Sequence, residues 1–191
     1  MIYERCSIPD VILCKPKVFE DARGYFTETF RQDQLDAFLG FKINFCQDNQ
    51  SMSTYGVVRG LHFQRPPFAQ TKLVRVLQGK ILDVAVDVRR NSPSFGKHVS
   101  VVLSEENKHQ LLVPRGFAHG FAVLSEKAVF AYKCDQYYAP EHEAGIFYKD
   151  EQLNIDWQLP AEAVLTSEKD RLLPSFEQAN CFEASSKLYS L

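Results

Sequence analysis

The sequence predicts an all-β domain, a barrel or sandwich of short strands with short peripheral helices. Three observations point there. Apolar–polar alternation over short runs recurs from residue 43 to about residue 138, and turn residues interrupt it repeatedly. Strand follows strand without the longer helical patterns that alternating βαβ units require. The one clear helical segment ahead of this region, RQDQLDAFLG at 31–40, is too short to define a helical protein.

Along the chain, the apolar pieces Val11–Leu13 and Val18–Phe19 are broken by Pro9 and Pro16, and read as short strands joined by a bend. Asp21–Gly24 supplies a turn, after which Tyr25 to Phe30 begins a strand or loop. Gly40 closes the 31–40 helix. TKLVRVLQGKILDVAVDVR carries the clearest strand signal. Lys72, Val74 and Val76 share one face and Leu73, Arg75 and Leu77 the other. Gly79 marks a hairpin turn, and ILDVAVDV reads as the return strand, with Asp83 and Asp87 on one face. KHVSVVLSEEN is a further strand and turn. HQLLVPRGFAHGFAVLSEKAVFAYKCDQYY adds three strands, punctuated by Pro114-Arg115-Gly116, Gly120 and Ser125-Glu126. Beyond residue 140 longer polar loops lead to SEKDRLLPSF, where Ser167 caps a short helix. The last residues, EQANCFEASSKLYSL, are weakly patterned.

Composition narrows the function classes. The 191 residues fit one domain, with 45% hydrophobic and 24% charged residues. Lys plus Arg is 22 and Asp plus Glu 24, so no global charge draws the chain to nucleic acid or anionic membrane. No run approaches the length of a membrane span, and MIYERCSIPDVILCKP does not read as a signal peptide. Cys6, Cys14, Cys46, Cys134 and Cys181 are scattered and odd in number. They read as buried or half-buried thiols in a reducing cytosol. Aromatic residues are in excess, with fifteen Phe and eight Tyr against one Trp and two Met. Charge is uneven. Residues 59–90 hold seven Lys or Arg against two Asp, whereas residues 141–170 hold eight Asp or Glu against two Lys. A basic strand region of this kind suits a small anionic ligand.

No HxH pair, GxSxG elbow, GxGxxG or GxxxxGKS/T occurs, so metal, nucleophilic, Rossmann-type and P-loop chemistry all lack their sequence marks. Cofactor-free proton transfer remains, and it needs a base, an acid on the far side and a cation for a developing oxyanion. His62, in GVVRGLHFQRPP, is a candidate base or a satisfied structural histidine. Asp170 is able to orient its other nitrogen if the fold brings the two together. Lys72 heads an apolar strand, from which its ammonium can point into a barrel. Tyr132 is either a proton donor or core filling. His119 alternates with Phe117 and Phe121. It is either a buried, hydrogen-bonded imidazole or one wall of an aromatic pocket. His98, His109 and His142 lie in polar stretches and are expected at the surface. Arg59 and His62 are three residues apart, so a flat strand puts them on opposite faces unless the Gly60 region bends or bulges.

Several long stretches carry a specific likeness: DARGYFTETF (21–30), QDNQSMSTYGVVRGLHFQ (47–64), residues 71–125, YYAPEHEAGIFYKDEQLNIDW (137–157) and SEKDRLLP (167–174). Over roughly residues 1–176 the chain resembles the dTDP-4-dehydrorhamnose 3,5-epimerase family of cupin-type sugar-nucleotide epimerases. The resemblance implies a jelly-roll, cupin-like β-barrel over 1–176 with a C-terminal tail at 177–191. It also implies a cytoplasmic homodimer without metal or cofactor, and no membrane or nucleic-acid partner. The implied substrate is a dTDP-linked 4-keto-6-deoxyhexose, inverted at C3 and C5 to dTDP-4-dehydro-β-L-rhamnose. Relatives that invert only C3 or only C5 are compatible with the same residues. By this likeness His62 is the base paired with Asp170, Tyr132 is the acid on the opposite face, and Lys72 lies near the C4 oxygen. Arg59 and Arg23 resemble pyrophosphate contacts, Arg23 reaching from the partner subunit. Gln47 and Asn49 resemble residues near the nucleotide, and Phe26 and Glu28 part of its groove. His119 resembles a pocket residue near the 4-keto oxygen, Tyr138 an aromatic neighbour of the thymine or sugar, and Glu143 and Lys169 supporting residues. Two positions depart from the family pattern. Thr71 stands where glycine is more common, and Cys134 where a small polar residue is more common.

Overall fold

The computed structural model describes residues 1–183, 188 and 189. Its strands are β1 (Ile2–Arg5), β2 (Ile12–Lys15), β3 (Val18–Asp21), β4 (Gly24–Thr27), β5 (Gln47–Thr54), β6 (Val58–Gln64), β7 (Lys72–Gln78), β8 (Lys80–Asp87), β9 (His98–Ser104), β10 (Gln110–Val113), β11 (Phe117–Val123), β12 (Lys127–Cys134) and β13 (Glu143–Gly145). Two short α-helices accompany them among the described residues, α1 (Gln32–Leu39) and α2 (Glu168–Arg171), with 3-10 turns at Pro140–His142 and Ala161–Ala163. Six strands form one sheet in the order β1-β2-β10-β7-β12-β5. Five form a second, in the order β13-β6-β11-β8-β9. The β3–β4 hairpin stands apart from both. Strand pairing within the sheets is antiparallel throughout. The chain therefore has the all-β jelly-roll architecture expected of it.

The apolar faces explain the layering. Val74 and Val76 of β7, Leu111 of β10 and Phe130 of β12 meet Ile81 and Ala85 of β8, Val99 of β9 and Phe121 of β11 between the sheets. Burying such side chains is worth about 1.5–3 kcal/mol each. The outer face of the five-stranded sheet is also covered. Leu82, Val84, Ala118 and Ala122 pack there against Ile146, Trp157, Phe176 and Phe182 from the C-terminal third. With both faces covered, β11 is buried along its whole length and β8 from Ile81 onward, which is why ILDVAVDV reads as a nearly unbroken apolar run. A smaller cluster puts Leu35 of α1 against Ile12, Leu73 and Leu112 on the outside of the six-stranded sheet.

Several local expectations are met. The Asp21–Gly24 turn closes the β3–β4 hairpin, α1 ends at Gly40, and the Ser167 hydroxyl accepts the Asp170 N–H at the start of α2. Other expectations are corrected. Gly79 does not close a hairpin. β7 lies in the six-stranded sheet and β8 in the five-stranded one, so Gly79 turns the corner between sheets. Its φ of 81° and the Lys127 carbonyl oxygen, which would overlap a Cβ placed there, exclude a larger residue. Residues 143–145, expected in a polar loop, form β13 because β6 offers them a free edge. His98, His109 and His142 are half-buried rather than exposed. Cys46 is exposed, while Cys14, Cys134 and Cys181 are buried.

Candidate active site

A cavity of about 660 Å³ opens between the two sheets. It is walled by Asn49 of β5, Arg59 and His62 of β6, Lys72 of β7, His119 and Phe121 of β11, and Phe130 and Tyr132 of β12. The segment from Leu165 to Asp170 covers one side. Both sheets thus contribute polar groups to one concave space of mixed polar and apolar lining, a form suited to a small polar ligand.

The geometry of β6 begins with Gly60. Opposite it, β11 supplies two residues, His119 and Phe121, at positions paired with His62 and Arg59, and the register shifts between them. β6 therefore carries one extra residue, a bulge. Gly60 has φ 113°, and a Cβ there would lie 2.7 Å from Gly120 Cα and from His119 O. The bulge turns Arg59 and His62, three residues apart, onto the same cavity.

His62 Nε2 lies 2.7 Å from Asp170 Oδ1. The Gly60 N–H donates to Asp170 Oδ2 at 3.2 Å, so the bulge also anchors the carboxylate. Burial pushes the Asp170 carboxyl upward. The His62 hydrogen bond and charge, with Gly60 and Ser167, outweigh burial and hold it below the ordinary carboxylate range. An ionised Asp170 accepting at Nε2 leaves His62 Nδ1 as the other ring nitrogen, the arrangement of an oriented base. On the opposite sheet, burial raises the Tyr132 phenol above its ordinary value, so it stays protonated. Lys72 Nζ lies 5.9 Å from the Tyr132 ring centroid. Burial lowers the Lys72 ammonium, opposed by Cys134, Asp83 and Glu143. Lys72 forms no salt bridge among the described residues.

Around the rim, Arg59 is exposed and donates through Nε to Ser53 Oγ at 3.0 Å. Gln47 Nε2 donates to Asn49 Oδ1 at 3.0 Å. Tyr138 Oη donates to Glu143 Oε2 at 2.6 Å, and Lys169 Nζ reaches the same oxygen at 2.7 Å. Among the described residues no three His, Cys, Asp or Glu side chains converge as metal ligands.

A model of the dTDP-4-dehydrorhamnose 3,5-epimerase family matches residues 5–178. The chain belongs to this family. It is 50% identical to dTDP-4-dehydrorhamnose 3,5-epimerase of Shigella flexneri over 178 residues, 93% of this chain and 97% of the relative. The crystal structure of dTDP-4-dehydrorhamnose 3,5-epimerase from Elizabethkingia anophelis superposes with a TM-score of 0.90 at 48% identity, covering 93% and 97% of the two chains. That of dTDP-6-deoxy-D-glucose-3,5-epimerase from Legionella pneumophila, in complex with dTDP-4-keto-L-rhamnose, does so with 0.89 at 47%, covering 93% of each.

Within this epimerase-family fold, the anticipated Gln47, Tyr138 and Glu143 do not line the cavity themselves. They bond to one another and to the lining residues Asn49 and Lys169. Three further anticipated residues lie away from the cavity. Arg23, Phe26 and Glu28 belong to the β3–β4 hairpin and the residue after it, and all three are exposed. Arg23 Nη2 pairs with Asp21 Oδ2 at 2.6 Å. Phe26 is 70% exposed. Both readings of His119 hold together, since it is buried, hydrogen-bonded to Asp83 and part of the cavity wall. Asp83, Ser53 and Phe130 are neighbours of the site that the sequence did not single out. In sequence Asp83 is an ordinary strand carboxylate sharing a face with Asp87, and only the fold turns that face inward.

Proposed function

We propose that this chain is a dTDP-4-dehydrorhamnose 3,5-epimerase, an isomerase that inverts C3 and C5 of dTDP-4-dehydro-6-deoxy-D-glucose to give dTDP-4-dehydro-β-L-rhamnose. One observation carries the reading. An oriented base, His62 with Asp170, and a protonated phenol, Tyr132, come from opposite sheets onto one cavity that also holds a desolvated ammonium, Lys72, in no direct salt bridge among the described residues. The 4-keto group acidifies the C–H bonds at both C3 and C5, and loss of either proton gives an enolate on the same oxygen. His62 takes each proton from one face. Lys72 stabilises the enolate oxygen, where a fixed charge in a dry site counts for most. Tyr132 returns a proton to the other face, which inverts the carbon. Every step is a proton transfer, so no cofactor is called for.

The nucleotide fits the same arrangement. Arg59, exposed and free of carboxylates among the described residues, suits the diphosphate. Gln47 and Asn49 at the rim suit the nucleoside, and Tyr138, braced by Glu143 and Lys169, offers it an aromatic face. We assign the working form as a homodimer in the cytoplasm, in which the β3–β4 hairpin carries Arg23, Phe26 and Glu28 to the other subunit's nucleotide groove. The apolar exposure of Phe19, Tyr25 and Phe26 on that hairpin supports this assignment. Product analysis by NMR tests the function. Inversion at both carbons is expected. Inversion at C3 alone, at C5 alone, or movement of the carbonyl to C3 would each replace the reading by a narrower or different isomerase.

A further inference from the structure

Asp83 takes no part in the proton transfers above, yet it is fully buried in the middle of β8, opposite Phe121 of β11 and Val101 of β9. A carboxylate in such a place is unfavourable unless it is hydrogen-bonded or paired. Among the described residues its side-chain hydrogen bonds both go to His119 Nε2, at 3.0 Å from Oδ1 and 3.0 Å from Oδ2. An ionised carboxylate only accepts, so Nε2 carries the proton, and Nδ1 is the nitrogen left over on a ring that forms the cavity wall. The stacked Phe130 ring, 6.0 Å from the imidazole, steadies it on one side. His119 in turn is paired in register with His62, so the two imidazoles stand side by side on neighbouring strands.

We propose that Asp83 is a positioning residue of the active site, holding the His119 ring by Nε2 and supplying the fixed counter-charge for Lys72 before the enolate forms. The proposal rests on the epimerase reading above. Burial pushes the Lys72 ammonium towards neutrality, and the groups that resist are Cys134 on β12, Asp83 on β8 and Glu143 on β13. Tyr132 of β12, His119 of β11, Arg59 and His62 of β6, and Lys169 and Asp170 of α2 share its cavity. Of the carboxylates named, Asp170 is engaged by His62 and Glu143 by Lys169 and Tyr138. Asp83 is the one whose only hydrogen-bonded partner, among the described residues, is a cavity-wall imidazole.

Asp83→Asn preserves size and removes the charge. The unmodified protein is expected to exchange solvent deuterium into C3 and C5. If it does not, the epimerase reading falls, and this inference with it. Given that exchange, the variant should lose about 100-fold in kcat with KM changed by less than about threefold. The alkaline limb of its kcat profile should move to lower pH, because Lys72 loses a group that favours its charged form. A merely structural role would not move that limb. A variant with unchanged kcat and an unmoved limb overturns the proposal. Nitrogen-15 NMR of His119 in the unmodified protein tests it without relying on a variant that folds. A protonated Nε2 is expected, and a bare Nε2 overturns the proposal.

Discussion

Tyr132 is a weak acid made weaker by burial, which lifts its phenol above the ordinary value, while Arg59 pulls the other way. A donor to an enolate carbon benefits from this, because it keeps its proton until a strongly basic carbon is in front of it. Tyr132→Phe removes the donor and leaves His62 with Asp170 intact. His62 can then still take a proton, exchange it with solvent and return deuterium to its own face. The expected result is deuterium at C3 and C5 with configuration retained, and inverted product reduced by about 10²-fold or more. Inverted product at the unmodified rate would place the acid elsewhere. At this scale the sequence was informative about residue types and silent about distance. It marked His62 as a base and Asp170 as a candidate orienter, but 108 residues separate them, and only the fold puts 2.7 Å between Nε2 and Oδ1. Asp83 is hidden for the same reason. Its strand pattern was correctly read, but its partner, His119, lies on another strand.

β6 is the element on which the site turns. Its bulge at Gly60 orients Arg59 and His62 together, and the same glycine N–H holds Asp170. Gly60→Ala would force a side chain into the Gly120 backbone at positive φ. It is expected to lower stability by about 1–3 kcal/mol in denaturant unfolding and to depress kcat and substrate affinity together. Unaltered stability and kinetics would show that β6 tolerates a regular path. Element assignment from sequence succeeded where local pattern decides, as in α1, β7 and β10 to β12. It failed where the decision is tertiary. The Gly79 turn looks the same locally whether the next strand returns in its own sheet or crosses to the other. β13 has no strand pattern of its own and exists because β6 has an edge to pair. β1 also went unread, since three of its four residues, all but Tyr3, are exposed.

At the scale of the whole molecule, the aromatic excess resolves into cores and a surface. Phe63, Phe117, Phe121, Phe130, Phe176 and Phe182 are buried, whereas Phe19, Tyr25 and Phe26 stand exposed on a hairpin outside both sheets. The nearly neutral sum of charges likewise hides a basic stretch, from which Arg59 and Lys72 reach the cavity. If the hairpin serves the other subunit, catalytic and diphosphate-binding residues of one site lie on two chains. Arg23→Ala and His62→Ala subunits, each nearly inactive alone, should then regain activity when unfolded and refolded together, because one site of the mixed dimer is whole. No recovery would mean that Arg23 serves its own subunit or none. The most direct test of the central claim is solvent exchange by the unmodified protein. Incubated with dTDP-4-dehydro-6-deoxy-D-glucose in deuterated water, it should place deuterium at C3 and at C5 with both centres inverted. His62→Ala should abolish incorporation at both positions. Deuterium at neither carbon of the substrate, or incorporation that survives the loss of His62, would contradict the account.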